Sequence, residues 1–561
     1  MRVNKALFFI FLIFLVNPSQ GQSLTAAAAY DSATHYRDVA DSLWDIDKPS
    51  AENLEKALAI LNRGLDYLNR DDVSDLAQGN KYLKFRRYNI LYDIAHIYSL
   101  LRQKESTLTV LERMNDVGGY YYDFIEKDTA FDFIRKEDRY QELINANKLS
   151  EARWHGTGFK TLYRKDLPLN EKMAGLSLLW SMAKYNFVHF NHANLDWDKE
   201  YLDYLNQVSQ TKSTAEYYKL LIRFYASLKD AHTNVYFPEE LADSFYSRPP
   251  FRTELIEGRV FITDIFSDTL KKMGIVKGLE VLSINGEPVL EYAKNNVEPY
   301  ESSSTPQDRD VRGFTYALLA GSKTEPLILK FRNKDGKEWT QSVPRTGYST
   351  IKSIPSIEYS ETGGIGYLQL NSFEDEAVTK IYDSLFSRIA KTKGLIIDLR
   401  KNGGGSDGIG FHVLSTLTDT PYAISLSRIT QYKSTSDGDG QWYSFPAAKI
   451  QPSKKMFYAK PVVLLISART FSAAEDFVVD FSYMKRGKMI GQTTGGSTGM
   501  PLFFALPGGG TARVCAKDDV FPDGRKFVGT GIAPDIFISK TVDDLYKNND
   551  AVLMKALEIL R

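Results

Sequence analysis

The chain has 561 residues and a mass of 63.6 kDa, more than one hydrophobic core organises, so several domains are expected. Its 70 basic and 70 acidic residues cancel to a formal net charge of zero, which argues against a nucleic-acid or anionic-membrane surface. The 43% hydrophobic content is ordinary for a folded protein, and the single cysteine, Cys515, excludes a disulfide within the chain.

Arg2 and Lys5 precede an apolar run from Ala6 to Val16, followed by Asn17-Pro18-Ser19-Gln20-Gly21. This is the pattern of a Sec-type signal peptide over residues 1–21, and it implies export to the periplasm or the extracellular space. The run is too short to span a bilayer, and no later stretch is long and apolar enough, so no transmembrane segment is expected. No cysteine follows the run, which argues against a lipid anchor.

Residues 22–150 read as helical. Leu54, Ala57, Leu58, Leu61 and Leu65 follow i, i+3, i+4 spacing, as do Ile90, Ile94 and Ile97. The helix through Tyr98, a short turn and the Ser106–Leu111 stretch resemble a tetratricopeptide helix pair. Such units stack into a groove that takes a protein partner, whereas a plain helical cap would bury the same faces. His96 on this apolar face reads as a satisfied core histidine. Residues 151–246 form a second, aromatic-rich helical region ending in Leu228-Lys-Asp-Ala-His-Thr, where helical spacing gives way to strand alternation at His232. His189 and His192 have metal-pair spacing, but no cysteine or carboxylate cluster accompanies them in the sequence, so a loop is the preferred reading.

Residues 247–346 are β-rich. GIVKGLEVLSINGEPV (274–289) carries a strand into an Asn285-Gly286 turn, and two more strands flank Asp335-Gly336. This stretch resembles a PDZ-like module, which takes an extended peptide end as an added strand. Between them, 298–312 with its run of three serines reads as an exposed loop.

Residues 347–561 alternate strand and helix as an α/β layer arrangement. A buried strand at 462–466 leads to Ser472, which opens Ser-Ala-Ala-Glu and a helix. Ser472 with Glu475 fits a capping box. A hydroxyl there also lies beside free backbone N–H groups at the positive end of a helix, where a nucleophile and its oxyanion are favoured. Taken alone, S-x-x-E is a common cap. Gly403, Gly404 and Gly405 follow the buried strand at 395–399, so they belong at a carboxyl edge of the sheet. A phosphate loop would need a Walker lysine, which is absent; an oxyanion-hole loop fits better, with Ala473 beside the nucleophile supplying the second N–H. Cys515 sits in a context that reads as a packed strand.

DLRKNGGG (398–405), ARTFSAAED (468–476), GQTTGGSTG (491–499), GTGIAPD (529–535), LKDAHT (228–233) and the β-rich insert, in this combination, resemble the C-terminal-processing and tricorn-core-like serine peptidases. The resemblance covers about residues 151–561. It implies a multidomain α+β chain with a crotonase-like catalytic core, no metal or organic cofactor, and a polypeptide substrate that such a module could hold by its C-terminus. It maps the nucleophile onto Ser472 and the oxyanion hole onto Ala473 with Gly404 or Gly405.

One branch of the family uses a lysine in the glycine-rich run after the nucleophile's helix; this chain has Ser497 there, and Lys485 and Lys488 fall too early. The other branch uses a histidine from the D-x-H-T region, which maps to His232 as general base. In the tricorn core a serine precedes that histidine and a glutamate near the G-x-G-I-x-P-D run completes the relay; here those positions are Ala231 and Val528. The orienter of His232 is thereby left open among Asp230, Ser497 and Thr498. Two other readings stand beside the peptidase: a catalytically silent relative that binds peptides or apolar ligands, and a hydrolase of small esters or amides.

Overall fold

The computed structural model describes residues 24–46, 48–78, 81–116, 122–155, 158–347, 354–432 and 441–561. Residues 1–21, read above as a signal peptide, lie outside the described residues. The chain divides into two compact units, 1–157 and 158–561. No helix among the described residues is long and apolar enough to cross a membrane.

The first unit is helical: α1 (Ala26–Trp44), α2 (Ala51–Leu68), α3 (Lys81–Leu100), α4 (Lys104–Asp116) and α5 (Asp138–His155) are its longer elements. Ser50 starts α2 by accepting the Asn53 N–H, and Leu54, Ala57, Leu58, Leu61 and Leu65 are buried on one face, as their spacing requires. Ile90, Ile94 and Ile97 of α3 share a core with Leu108 and Leu111 of α4. The turn between α3 and α4 places Arg102 at φ 57°, and the Gln103 N–H closes it on the Tyr98 carbonyl. His96 Nδ1 lies 2.9 Å from Asp128 Oδ2.

The second unit begins with α6 (Leu169–Asn186), α7 (Trp197–Ser209) and α8 (Thr214–Ala226), whose aromatic faces interlock; Trp197 stacks on Phe224 at 4.3 Å. The short strand β1 (Asn234–Tyr236) follows. A six-stranded antiparallel sheet then forms: β2 (Phe251–Ile256), β3 (Arg259–Ile265), β4 (Glu280–Ile284), β5 (Leu327–Arg332) and β6 (Glu338–Val343) follow in that spatial order, and the two-residue strand Glu287–Pro288 pairs with β4. Asn285 and Gly286, both at positive φ, make the tight turn their sequence predicts. The segment 298–312 is not the exposed loop expected from its serines. Ser302, Thr305 and Asp308 are buried, because Thr305 caps a helical turn and its hydroxyl also donates to the Gly495 carbonyl, 190 residues away.

The main sheet comprises β7 (Ile357–Thr362), β8 (Ile365–Leu370), β9 (Gly394–Asp398), β10 (Val462–Ile466), β11 (Gly487–Gly491) and β14 (Ile536–Phe537), the last numbered after a hairpin formed by β12 (Pro501–Ala505) and β13 (Thr511–Cys515). Its order is β14-β11-β10-β9-β8-β7, parallel throughout except for the β7–β8 hairpin. Helices cover both faces, which is why β9 and β10 are continuous apolar runs rather than alternating ones. Leu395, Ile397, Val462 and Leu464 pack against α9 (Ala377–Ile389), α10 (Asp407–Ser415) and α11 (Ala473–Tyr483). Ile396, Val463 and Leu465 face α12 (Ala551–Leu560) through Val552 and Ala556. In a separate sheet β1 adds to the β12–β13 hairpin, Asn234 opposite Arg513 and Val235 opposite Ala512.

Candidate active site

Because β9 and β10 are parallel neighbours, the loops leaving their carboxyl ends lie side by side. The β9 loop carries Asn402 and the three glycines, and the β10 loop carries Ser472. They are stitched together: Phe471 N–H donates to the Asn402 carbonyl at 3.0 Å, and Thr470 Oγ1 donates to the Leu399 carbonyl at 2.9 Å. Gly404 and Gly405 adopt φ 100° and 134°, a region open to glycine. They need it because a Cβ on Gly404 would meet Ser472 Cβ at 2.6 Å, and one on Gly405 would meet the Phe373 backbone at 2.2 Å.

Ser472 is half-buried at φ 58° and ψ −131°, an uncommon conformation for a residue with a side chain. The capping box expected for it does not form. Its carbonyl accepts the Glu475 N–H at 2.6 Å, but its hydroxyl makes no cap bond. The Ser472 Oγ instead lies 3.0 Å from His232 Nε2. Glu475 turns away from the helix start and holds the loop 494–497. Its carboxylate accepts from Thr494 Oγ1 at 2.5 Å, from Gly496 N–H at 2.8 Å and from Ser497 N–H at 2.8 Å. Burial pushes Glu475 up to about 8, against the pull of those three donors.

Ser497, held in this way, reaches His232 from the other side, its Oγ 2.9 Å from Nδ1. The Ser497 carbonyl also accepts the Ser472 N–H at 3.1 Å. Asp230 does not touch the imidazole; it accepts the His232 backbone N–H at 3.0 Å and the Thr233 hydroxyl at 2.8 Å, fixing the turn that presents the ring. Thr498 donates to Asp476 at 3.0 Å and stays away from His232. The imidazole stacks on Phe471 at 4.8 Å, and Arg312 lies over Phe471 at 5.0 Å. Burial, with Arg513 and Arg312 nearby, holds His232 well below the ordinary histidine range.

The Ala473 amide sits at the start of α11, next to Ser472. Of the two glycines expected to share the oxyanion role, Gly404 has its N–H engaged with Asn402 Oδ1 at 2.8 Å. Gly405 lines the cavity above Ser472, a space of about 730 Å³ that also meets Arg312, Arg469, Phe503, Arg513 and Lys517. Ser304, Arg312 and Arg513 carried no site signal in the sequence, because each reaches the site only through the tertiary fold; Asn402 lies within the DLRKNGGG motif, two residues before the Gly404 whose N–H it accepts. Ser304 accepts the Ala231 N–H at 3.0 Å, bracing the histidine turn from the segment read as a loop.

One set of side chains among the described residues has metal-ligand proximity: His189, Asp230 and Cys515, all buried, with ligand atoms within 4.8 Å of one another. The sequence reading found no cysteine or carboxylate near His189 because both partners are remote in the chain. Burial pushes the Cys515 thiol up, which suits a packed strand residue better than a thiolate ligand or nucleophile.

Residues 364–538 match the family described as Peptidase family S41. A carboxy-terminal-processing protease of Bartonella bacilliformis is 24% identical over 249 residues, covering 42% of this chain and 55% of the relative. The carboxy-terminal processing protease CtpA of Bacillus subtilis is 23% identical over 263 residues, 46% of this chain and 52% of the relative. The chain thus spans about half the length of these curated relatives. Among solved structures, mature CPAF complexed with lactacystin aligns over 70% of this chain and 98% of its own at 18% identity and a TM-score of 0.55, a likeness of fold. The motifs, the family match and the curated relatives agree in direction: over 364–538, the stretch that supplies both the triple-glycine bend and Ser472, this chain is similar to Peptidase family S41.

Proposed function

We propose that this protein is a serine peptidase acting through an acyl-enzyme on Ser472. The observation that carries the reading is the unbroken line Ser472 Oγ, His232 Nε2, His232 Nδ1, Ser497 Oγ, with contacts of 3.0 and 2.9 Å. Neutral His232 with its proton on Nδ1 donates to Ser497 Oγ, leaving Nε2 bare to accept the Ser472 proton. As Ser472 attacks the peptide carbonyl, the N–H groups of Ala473 and Gly405 are placed to receive the oxyanion. His232 then protonates the leaving amine, and water releases the acyl group by the same path in reverse. Ser497 is a positioning residue in this scheme, a hydroxyl partner for Nδ1 in a chain whose expected relay positions hold Ala231 and Val528. The close Ser472–His232 contact favours an enzyme over a silent binder.

The rest of the reading follows the modules. The six-stranded sheet is PDZ-like and suited to an extended peptide end, the helical unit is tetratricopeptide-like and suited to a protein partner, and the core is crotonase-like. The signal-peptide pattern of residues 1–21 assigns the protein to the periplasm or the cell exterior.

Mass spectrometry of a mixed peptide library incubated with the wild type and with Ser472→Ala tests the proposal. Cleavage by the wild type is expected to fall by roughly 10⁴- to 10⁶-fold in the variant, with the circular dichroism spectrum unchanged. Equal turnover by the two proteins would remove Ser472 from the chemistry.

A further inference from the structure

The cations around the active-site cavity divide into two kinds. Arg312 is paired with Asp308 at 2.9 Å, and Lys517 with Asp519 at 3.1 Å. Arg513 and Arg469 have no carboxylate within ion-pair distance among the described residues. Arg469 Nε donates to the Tyr316 hydroxyl at 3.1 Å, on the side of the six-stranded sheet's module. Arg513 is placed differently. It projects from β13 opposite Asn234, its Nε donates to Asn234 Oδ1 at 2.7 Å, and its Nη2 donates to the Ala231 carbonyl at 3.2 Å. These two bonds straddle His232 in the chain. Tyr236 and Phe503 lie within 5.8 and 6.0 Å of the guanidinium and wall it in.

A guanidinium has five N–H donors, and these two bonds leave the Nη1 pair uncommitted. The group is held in place by its own fold contacts, it lines the cavity, and it stands beside the imidazole that hands a proton to the departing amine. Burial and the nearby Arg312 disfavour its charge in the free protein, so a bound anion would relieve it. Its planar fork matches a carboxylate in two parallel hydrogen bonds.

We propose that Arg513 is a specificity-determining residue that receives a carboxylate carried by the leaving-group portion of the substrate. This rests on the peptidase reading above and names the class of peptide it takes. Two sources offer that chemistry: an Asp or Glu side chain just after the scissile bond, or the chain-end carboxylate of a short departing fragment.

Two matched peptide pairs separate the sources. One pair is C-terminally amidated and carries Glu or Gln directly after the cleaved bond. The other has only neutral side chains and ends one to three residues after that bond in a free acid or an amide. With the wild type, kcat/KM is expected to favour the acid over its amide partner by roughly 10- to 100-fold in at least one pair. Arg513→Gln should bring that ratio close to one, whatever its effect on the neutral peptides. Arg469→Gln should keep the preference. The same pairs titrated by fluorescence anisotropy against Ser472→Ala and Ser472→Ala/Arg513→Gln give the ratio without chemistry. Absence of cleavage with an intact binding preference would therefore overturn the peptidase reading and leave the carboxylate receptor standing. Equal handling of acid and amide by the wild type in both pairs, or a preference lost in Arg469→Gln and kept in Arg513→Gln, would overturn the assignment to Arg513.

Discussion

A methyl group on Gly404 would overlap Ser472 Cβ at 2.6 Å and the Phe471 carbonyl at 2.9 Å, on a backbone at φ 100°. Gly404→Ala is therefore expected to displace Ser472, the proposed nucleophile, and to lower kcat about 100-fold or more, the scale of losing a catalytic contact. Steady-state kinetics, with thermal unfolding alongside, would check that the loss exceeds what destabilisation explains. His232 gives a second expectation. A base holds its unprotonated form down to its own pKa, and burial has moved this one below the ordinary value of 6.5. The acid limb of the kcat/KM–pH profile should accordingly fall below pH 6.5, and activity should rise through that limb as pH increases. Ser497→Ala removes the Nδ1 partner and is expected to cost roughly 10- to 100-fold in kcat, the worth of one hydrogen bond to a group that becomes charged. Rescue by Ser497→Thr, which keeps the hydroxyl, would separate this positioning role from simple packing.

At the scale of elements, the informative case is α11. Its first turn contains Ser-x-x-Glu, and sequence logic makes that a reciprocal cap. The fold instead spends Glu475 on the backbone of 494–497, since that loop passes over the helix start with two N–H groups to satisfy. Glu475→Ala would orphan those donors together with the Thr494 hydroxyl. A loss of at least about 3 kcal/mol is expected from chemical denaturation, with a fall in kcat because Ser497 is no longer held against His232. Strands β9 and β10 were legible to within a residue, because a strand covered on both faces must be apolar throughout and few other elements look like that. The segment 298–312 was not legible. Thr305 and Gln307 donate to the Gly495 and Thr494 carbonyls almost two hundred positions away, Ser304 accepts from Ala231, and no local pattern announces such partners. The same limit hid the proximity of His189 to Cys515.

Across the whole molecule, the division into two compact units implies separable stabilities. Calorimetry of the full chain is expected to show two transitions, and a protein consisting of residues 158–561 to retain the hotter or colder of them unchanged. A single cooperative transition, lost on removal of the first unit, would contradict this. Within the second unit the family motifs were readable in order. The third member of the Ser–His line could not be chosen among Asp230, Ser497 and Thr498, since a short sequence separation made Asp230 attractive while tertiary contact decides for Ser497.

The imidazole and the hydroxyl stand 240 residues apart, and the strand that steadies the imidazole pairs with one ending at Cys515. During synthesis, a nascent polypeptide that has exposed His232 still lacks its reaction partner, and one that has just added Ser472 still lacks the hairpin that brings the two together. On the peptidase reading, reactivity is thus deferred until nearly all of the chain is assembled. Chains stopped before Pro501 should accordingly fail to label with a serine-directed phosphonate that modifies the finished protein.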